Sequence, residues 1–348
     1  MSRRVTLCLA LSRTAAVAPL LDGQVEAEGI ELIPAVASPG DLFWRQLHRR
    51  EFDASEFSLS SLMVLAGRGD TTWTAIPVFP SRGFFHTQIL VRRGAGIGTP
   101  ADLRGRRVGV PEYQQTAALW TRGVLQHEFG VRPGDMEWVM GRAPARSHAL
   151  ATGFRPPAGV RLGYVPEGES LGSLVASGRL DALIAYRTRR SGLGLGQEPA
   201  ASEHDDAAGI AGTEVADLGA GGTLTRLFAE PVAEGIRYYR ATGIFPVAHT
   251  VVVRAALAER HPWLPGSLYE AFRRARELAF RRLCVQLEPY AAVGAVDPDE
   301  IGRAQRAAPF GITGNEATLR AAARYAREQG LTPGPVRPDE LFFAGAGA

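Results

Sequence analysis

The chain has 348 residues, more than one ordinary domain holds, and this length suits two lobes. Its net charge of +3 is spread without a long basic block, so nucleic-acid binding is not predicted. Apolar runs stay short of a membrane span, and we expect no membrane partner. Cys8 and Cys284, the only cysteines, support neither a disulfide framework nor a thiolate metal site.

The cationic side chains are all arginine, because the sequence contains no lysine. A Schiff base, covalent attachment of pyridoxal phosphate and the lysine of a phosphate-binding loop are therefore excluded. No cofactor that depends on a lysine side chain is therefore predicted.

The first part of the chain alternates strands with helices. Val5–Leu11 is a predicted strand rather than a signal peptide, because this apolar run is short and Arg13 ends it. A cytoplasmic location is expected on that basis. The elements predicted next are a helix at 15–21, the strand Ile30–Val36, a helix at 41–50, a strand at 52–57, a helix ending at 68 and a strand at 74–79.

A second alternating series follows and predicts an α/β fold with mostly parallel sheets flanked by helices. Residues 191–223 are rich in Gly, Ala and acids without periodicity, which indicates a long mobile loop. The further predicted elements are strands at 107–110, 136–140 and 182–185, and helices at 117–129, 171–177, 267–283, 298–306 and 315–329.

Two similar segments, about half a chain apart, each place a histidine just before an apolar strand. His86 follows the sequence FPSRGFF, and His249 follows FPVA. This pattern is typical of two crossings between two lobes. We therefore assign residues 1–86 and 250–348 to lobe one and residues 87–249 to lobe two. The two imidazole rings are expected near the cleft between the lobes.

Small polar or charged residues follow three predicted strands. In open α/β sheets ligands bind beyond the carboxyl ends of the strands, where the N–H groups of helix starts favour anions. Arginine side chains could add bidentate contacts to a carboxylate. The alternative is that the serines and threonines only cap helices. The predicted substrate-binding residues are Arg13, Thr14, Ser58, Ser60, Ser61, Arg82, Tyr113 and Gln114.

Three residues are candidates for proton transfer: His86, His249 and Glu112. Histidine titrates near neutral pH, and a carboxylate at a strand–helix junction can act as acid or base. Which group is the acid and which is the base stays open. No histidine pair has a close metal-ligand spacing, so no metal site is predicted. The remaining histidines are interpreted as peripheral: His48, His127, His148, His204 and His261.

Several segments across most of the chain resemble the 4,5-dihydroxyphthalate decarboxylase family. The segments FPSR and VPEYQ are the more specific ones, while DLRGRRVGV also resembles many solute-binding proteins. The similar segments are 41–45 (DLFWR), 51–61 (EFDASEFSLSS), 75–82 (AIPVFPSR), 102–114 (DLRGRRVGVPEYQ), 238–246 (YYRATGIFP) and 261–264 (HPWL).

The resemblance implies a two-lobed fold like that of type II periplasmic binding proteins. It also implies a cofactor-independent decarboxylase acting on a hydroxylated aromatic carboxylic acid. One departure is that Ala10-Leu11-Ser12 stands where the family usually has an acidic pair before an Arg-Thr sequence. Two alternatives therefore stay open: a solute-binding protein without catalysis, and a cofactor-free lyase or dehydratase on the same fold. The apolar helix around 271–283 suits either the core or contact with a second copy of the chain.

Overall fold

The computed structural model describes residues 4–184, 222–343 and 345. The strands are β1 (Val5–Leu11), β2 (Ile30–Val36), β3 (Ala54–Ser58), β4 (Trp73–Ile76), β5 (Ile89–Arg92), β6 (Arg107–Val110), β7 (Glu137–Met140), β8 (Arg161–Tyr164), β9 (Ala182–Ile184), β10 (Leu224–Arg226) and β11 (His249–Arg254). The helices are α1 (Ala18–Leu21), α2 (Pro39–Arg49), α3 (Leu59–Gly67), α4 (Thr116–Phe129), α5 (His148–Thr152), α6 (Leu171–Ala176), α7 (Pro231–Thr242), α8 (Ala255–Arg260), α9 (Leu264–Ala292), α10 (Pro298–Ala307) and α11 (Glu316–Glu328).

The strands form two mixed sheets. The first has the order β2-β1-β3-β11-β4, and the second has the order β10-β5-β9-β6-β7-β8. Parallel pairs join β1 to β2 and β3, and join β6 to β7 and β9. The antiparallel pairs involve β5 and β11, the strands that follow the two predicted crossings. The predicted α/β fold is confirmed, with antiparallel strands added where the chain passes from one sheet to the other.

The two crossing segments lie side by side. Arg82 and Val247 form an antiparallel bridge, and backbone bonds on either side join Gly83 to Pro246 and Ala248 to Ser81. The crossings therefore form a short ribbon between the sheets. The lobe boundaries at 86 and 250 stay a prediction. The predicted mobile loop at 191–223 lies outside the described residues except for its last two.

Helix α11 packs on α4, the helix that follows strand β6 of the second sheet. The Tyr325 ring lies so close to Gly123 that a Cβ there would be 2.1 Å from Cδ2 of the tyrosine. Trp120 meets the same ring edge-on, with ring centroids 5.6 Å apart. Only glycine allows this approach, so residue 123 and Tyr325 specify how the two helices dock.

The N-terminal half of α9 covers the first sheet with buried side chains that include Leu268 and Phe272. Beyond Ala275 the helix becomes exposed, and Leu283 is 43% accessible. The segment 271–283 therefore packs in the core at its start and lies on the surface at its end. None of the helices that the structure describes is long and apolar enough to cross a membrane.

Candidate active site

A buried carboxylate–imidazole pair lies at the carboxyl end of β3 and the start of β11. Nδ1 of His249 is 2.6 Å from Oε1 of Glu56. The backbone N–H of Ser12 donates to Oε2 of Glu56 at 2.9 Å, and the Ser12 hydroxyl donates to the same oxygen. Glu56 is fully buried, whereas 16% of the His249 side chain is accessible. The glutamate thus holds the ring while the ring stays reachable.

The sheet register explains this pair. His249 is opposite Ser58, and Val251 is opposite Glu56, in the antiparallel pair of β11 with β3. Diagonal neighbours two residues apart lie on the same face of a sheet, so the two side chains meet. Ser12 joins them because β1, which it follows, lies on the other side of β3.

The environment of Glu56 favours its ionised form. Burial opposes ionisation, but the hydrogen bonds from His249 and then Ser12 outweigh it, so the pKa of Glu56 lies below its usual value. An ionised Glu56 accepts a hydrogen bond from Nδ1–H of His249. No described residue bonds Nε2 of the ring, which is therefore the nitrogen available to a ligand.

A second buried polar group lies after strands of the second sheet. Oε2 of Glu112 accepts from the His148 backbone N–H at 3.0 Å, and Oε1 accepts from the Ser147 hydroxyl at 3.1 Å. The Arg142 guanidinium lies 3.6 Å from the same glutamate and donates to Nε2 of His148 at 2.8 Å. Burial raises the pKa of Glu112 against the opposing effect of Arg142. Burial, followed by the Arg142 charge, keeps the pKa of His148 well below the usual value.

Phe43 of α2 connects the two polar groups. Its ring meets His249 edge-on with centroids 4.8 Å apart, and it meets His148 edge-on with centroids 6.4 Å apart. Helix α5, which begins at His148, packs against α2 and α3. Phe43 therefore contacts one imidazole from each of the two polar groups.

The predicted serines join the two sheets through hydroxyl groups. Oγ of Ser58 is 2.9 Å from Oγ1 of Thr116, and Ser60 donates to the Gln114 carbonyl at 2.6 Å. The Gln114 amide donates to the Ser61 hydroxyl at 3.4 Å. The structure thus brings Ser58, Ser60, Ser61 and Gln114 together, as expected for one site. Their contact with a substrate stays a prediction.

Three other predicted binding residues have different surroundings. Arg13 is half exposed and pairs with Asp22 at 2.6 Å. The Thr14 hydroxyl is buried without a hydrogen-bond partner among the described residues. Arg82 contacts no carboxylate in the described structure; its guanidinium donates to the carbonyls of Phe245 at 3.2 Å and Pro309 at 2.7 Å. Arg82 therefore links the crossing ribbon to the loop that contains Pro309.

His86 and Tyr113 lie apart from the Glu56–His249 pair. The buried His86 ring contacts Oε1 of Glu234 at 3.2 Å and packs against Tyr238. Burial lowers the pKa of His86 to about 4, although Glu234 opposes this. Tyr113 is buried beneath the Arg122 guanidinium, 3.8 Å from its ring centroid. Among the described residues, the hydrogen-bond and ring partners of His86 differ from those of His249.

Sequence reasoning missed two members of this site. Glu56 lies inside a wholly buried strand, and an acidic residue within a predicted strand is the available signal. His148 is not peripheral, contrary to the prediction from sequence, because it is 3% accessible and contacts Phe43. Among the described residues, no group of three or more His, Cys, Asp or Glu has a metal-binding arrangement.

No family model matches this chain. It is 31% identical over 344 residues to 4,5-dihydroxyphthalate decarboxylase of Comamonas testosteroni, covering 97% of this chain and 96% of the relative. It is 38% identical over 184 residues to 4,5-dihydroxyphthalate decarboxylase of Pseudomonas putida, covering 53% of this chain and 71% of that protein.

Solved structures show the same fold at low sequence identity. The alkanesulfonate-binding protein SsuA of Xanthomonas axonopodis pv. citri, bound to MOPS, has a TM-score of 0.52 at 13% identity, covering 98% of this chain and 99% of that chain. The desulfurization enzyme DSZB has a TM-score of 0.53 at 17% identity, covering 99% of this chain and 97% of that chain.

The two mixed sheets, the paired crossings and these structural likenesses define a protein of the periplasmic-binding-protein-like fold. The match to the Comamonas testosteroni protein, which covers nearly the full length of the chain, identifies the family. The chain belongs to the 4,5-dihydroxyphthalate decarboxylase family.

Proposed function

We propose that this protein is a cofactor-independent decarboxylase of a hydroxylated aromatic carboxylic acid such as 4,5-dihydroxyphthalate. The observation that carries the proposal is the Glu56–His249 pair, with 2.6 Å between carboxylate and imidazole. The relatives named 4,5-dihydroxyphthalate decarboxylase support the substrate class.

His249 is the proposed general acid. The ionised Glu56 stabilises the imidazolium form through Nδ1, so that Nε2 can carry a proton to the substrate. The geometry favours this ring over His86, which is enclosed by aromatic side chains. It also favours His249 over Glu112, whose oxygens already bind Ser147 and the His148 backbone.

The reaction needs one proton and an electron-rich ring. A hydroxyl para to the departing carboxylate supplies electron density, more strongly when it is deprotonated. His249 protonates the ring carbon that bears the carboxylate. The bond from that carbon to the carboxylate then breaks, its electron pair restores the aromatic ring, and CO2 leaves. Water returns the proton to His249. Because the ring itself provides the electrons, the proposed reaction requires no organic cofactor or metal.

The region between the sheets would hold and desolvate the substrate. Burial in a site of low polarity destabilises a carboxylate relative to neutral CO2, which assists its loss. Phe43 offers an aromatic surface beside His249, and the buried Thr14 hydroxyl has no described partner. We retain the hydroxyl cluster of Ser58, Ser60 and Ser61 as a proposed binding surface for substrate oxygens. Opening and closure of the lobes would break and re-form the hydrogen bonds that this cluster makes between the sheets.

The proposal is tested by incubating the purified protein with 4,5-dihydroxyphthalate in D2O with EDTA. We expect CO2 and 3,4-dihydroxybenzoate carrying one deuterium at the ring carbon that lost its carboxylate. Tight binding by calorimetry without turnover would instead indicate a solute-binding protein. A product that keeps both carboxylates would indicate a different lyase reaction. Either outcome would overturn the decarboxylase assignment.

A further inference from the structure

His148 is held in one tautomer by its neighbours. The Arg142 guanidinium can only donate, so its 2.8 Å contact with Nε2 requires a lone pair on that nitrogen. A neutral imidazole with a lone pair on Nε2 carries its proton on Nδ1. Glu112 strengthens the arrangement, because it lies 3.6 Å from Arg142 and binds the backbone N–H of His148. The ring therefore presents Nδ1–H as a fixed donor.

That donor has no acceptor in the described part of the chain. Nδ1 of His148 is buried and makes no hydrogen bond, although the residue is only 3% accessible. Buried donors are nearly always paired, and an exception calls for an explanation. The other side-chain nitrogen, Nε2, and the backbone N–H of His148 both have partners.

The position of this donor relative to His249 suggests what binds it. Phe43 meets both imidazoles edge-on, so the two rings border the same aromatic side chain. His148 belongs to a helix that follows strands of the second sheet, whereas His249 begins a strand of the first. A flat ligand lying against Phe43 could be reached by both imidazole rings. The proton donor must lie near the carboxylate that leaves, so the other ring would meet a different substituent.

We propose that Nδ1–H of His148 binds the carboxylate that stays on the aromatic ring during the reaction. This inference rests on the proposed function, and it assigns His148 as a substrate-binding residue of that site. Arg142 and Glu112 are positioning residues, since they act on the substrate only through the imidazole. A neutral donor also suits this position. It orients the retained carboxylate without placing a second cation, besides the imidazolium of His249, near the carboxylate that leaves.

Two substitutions separate this role from a purely structural one. In His148→Asn the side-chain amide can keep a donor near the position of Nδ1, but Arg142 loses its acceptor. In His148→Gln the amide oxygen can keep an acceptor near Nε2 for Arg142, but the Nδ1 donor is lost. Substrate binding through Nδ1 predicts that Asn substitutes for the histidine better than Gln does. A structural role through Arg142 predicts the opposite order.

The measurement is calorimetric binding of 3,4-dihydroxybenzoate, and of its neutral amide 3,4-dihydroxybenzamide, to the wild-type protein and both variants. Thermal unfolding confirms that each variant is folded. We expect His148→Gln to weaken binding of the carboxylate about 10- to 100-fold, as for a lost hydrogen bond to a charged group. We expect a smaller effect on the amide, and His148→Asn to stay within about threefold of wild type.

Equal carboxylate affinity in His148→Gln and wild type would overturn the inference. So would tighter binding by His148→Gln than by His148→Asn, or no binding of the carboxylate by the wild-type protein. Failure of the proposed function is a separate result: the wild-type protein and His148→Asn would bind 3,4-dihydroxybenzoate, and neither would release CO2 from 4,5-dihydroxyphthalate. That outcome would leave the binding role of His148 intact.

Discussion

Glu56 and His249 are 193 residues apart in the chain, and 2.6 Å separates their side chains. Antiparallel pairing of β3 with β11 produces this contact, because it places the two residues diagonally on one face of the first sheet. The return crossing from the second sheet therefore completes the site. Any change that shifts β11 by one residue would turn His249 to the other face.

Replacing His249 should remove catalysis and leave most of the binding. His249→Asn can keep a donor toward Glu56 but has no group equivalent to Nε2. We expect kcat to fall about 10²- to 10⁴-fold, the usual contribution of general acid catalysis. KM should change little, since the substituent removed acts in the transition state. His127→Asn is the matched control, because His127 also contacts a glutamate at 2.6 Å but lies on the surface. A His249→Asn protein with full kcat would contradict the assignment.

His86 should make stability depend on pH in a defined window. Its pKa is about 4 in the folded protein, chiefly because of burial, with Glu234 opposing and Arg237 adding to the shift. In the unfolded chain an imidazole titrates near 6.5, so the unfolded state binds more protons between these values. The free energy of unfolding should therefore fall as the pH drops from about 6.5 to about 4. The full change from this residue is about 3 kcal/mol.

Chemical denaturation across that pH window measures the effect. His86→Gln cannot titrate, so its stability should fall less steeply with decreasing pH than that of the wild type. His148, whose pKa is also lowered by burial, should account for part of the remaining slope. If the unfolding free energy of both proteins falls equally steeply with decreasing pH, burial does not prevent protonation of the His86 ring.

Arg82 should act on stability more than on substrate binding. Its guanidinium donates to the carbonyls of Phe245 and Pro309 and to Oδ1 of Asn315 from two separate nitrogens, a spread that the single nitrogen of an ammonium group does not reproduce. We expect Arg82→Lys to lower the free energy of unfolding by about 1–3 kcal/mol. Arg303→Lys is the control, as an exposed arginine paired with Asp297. A KM raised tenfold or more with unchanged stability would favour the carboxylate contact predicted from sequence.

The hydroxyl of Thr116 should stabilise the contact between the sheets. It accepts from the Ser60 backbone N–H at 3.0 Å and lies 2.9 Å from the Ser58 hydroxyl. Thr116→Val keeps the side-chain shape but leaves the buried Ser60 N–H without this acceptor, so we expect a loss of about 1–3 kcal/mol in unfolding free energy. Thr121→Val in the same helix is the control, since its hydroxyl only bonds the Ala117 carbonyl. Equal losses in both variants would argue against a special role between the sheets.

Continuous patterns in the sequence predict local structure here. The strands Val5–Leu11, Ile30–Val36 and Arg107–Val110 have the predicted bounds, because each is an apolar or alternating run with clear ends. Helix α9 extends well beyond the predicted 267–283, since Pro265 fits its first turn and Pro289 lies near its end. Helix α7 was not predicted; its buried positions include Gly235 and Tyr238, too few for a clear apolar stripe.

The site depends on contacts that local patterns do not carry. His249 was predicted from its place before a strand, but its partner Glu56 is set by register between distant strands. His148 is interpreted from the sequence as peripheral, whereas its contacts with Phe43 and Arg142 come from packing. Arg82 has the charge expected of a carboxylate ligand, yet backbone carbonyls surround its guanidinium. Residue type suggested these chemistries, and tertiary structure decided which partners each side chain met.

The most direct test of the central claim compares the initial rates of Glu56→Gln and Glu328→Gln with wild type on 4,5-dihydroxyphthalate. Both substitutions remove a carboxylate that contacts a histidine at 2.6 Å, but only Glu56 is fully buried beside the proposed acid. We predict that Glu56→Gln loses about 10²- to 10⁴-fold in kcat, because the imidazolium form of His249 loses its counter-charge. Glu328→Gln should keep the wild-type rate. Full turnover by a folded Glu56→Gln protein would contradict the account.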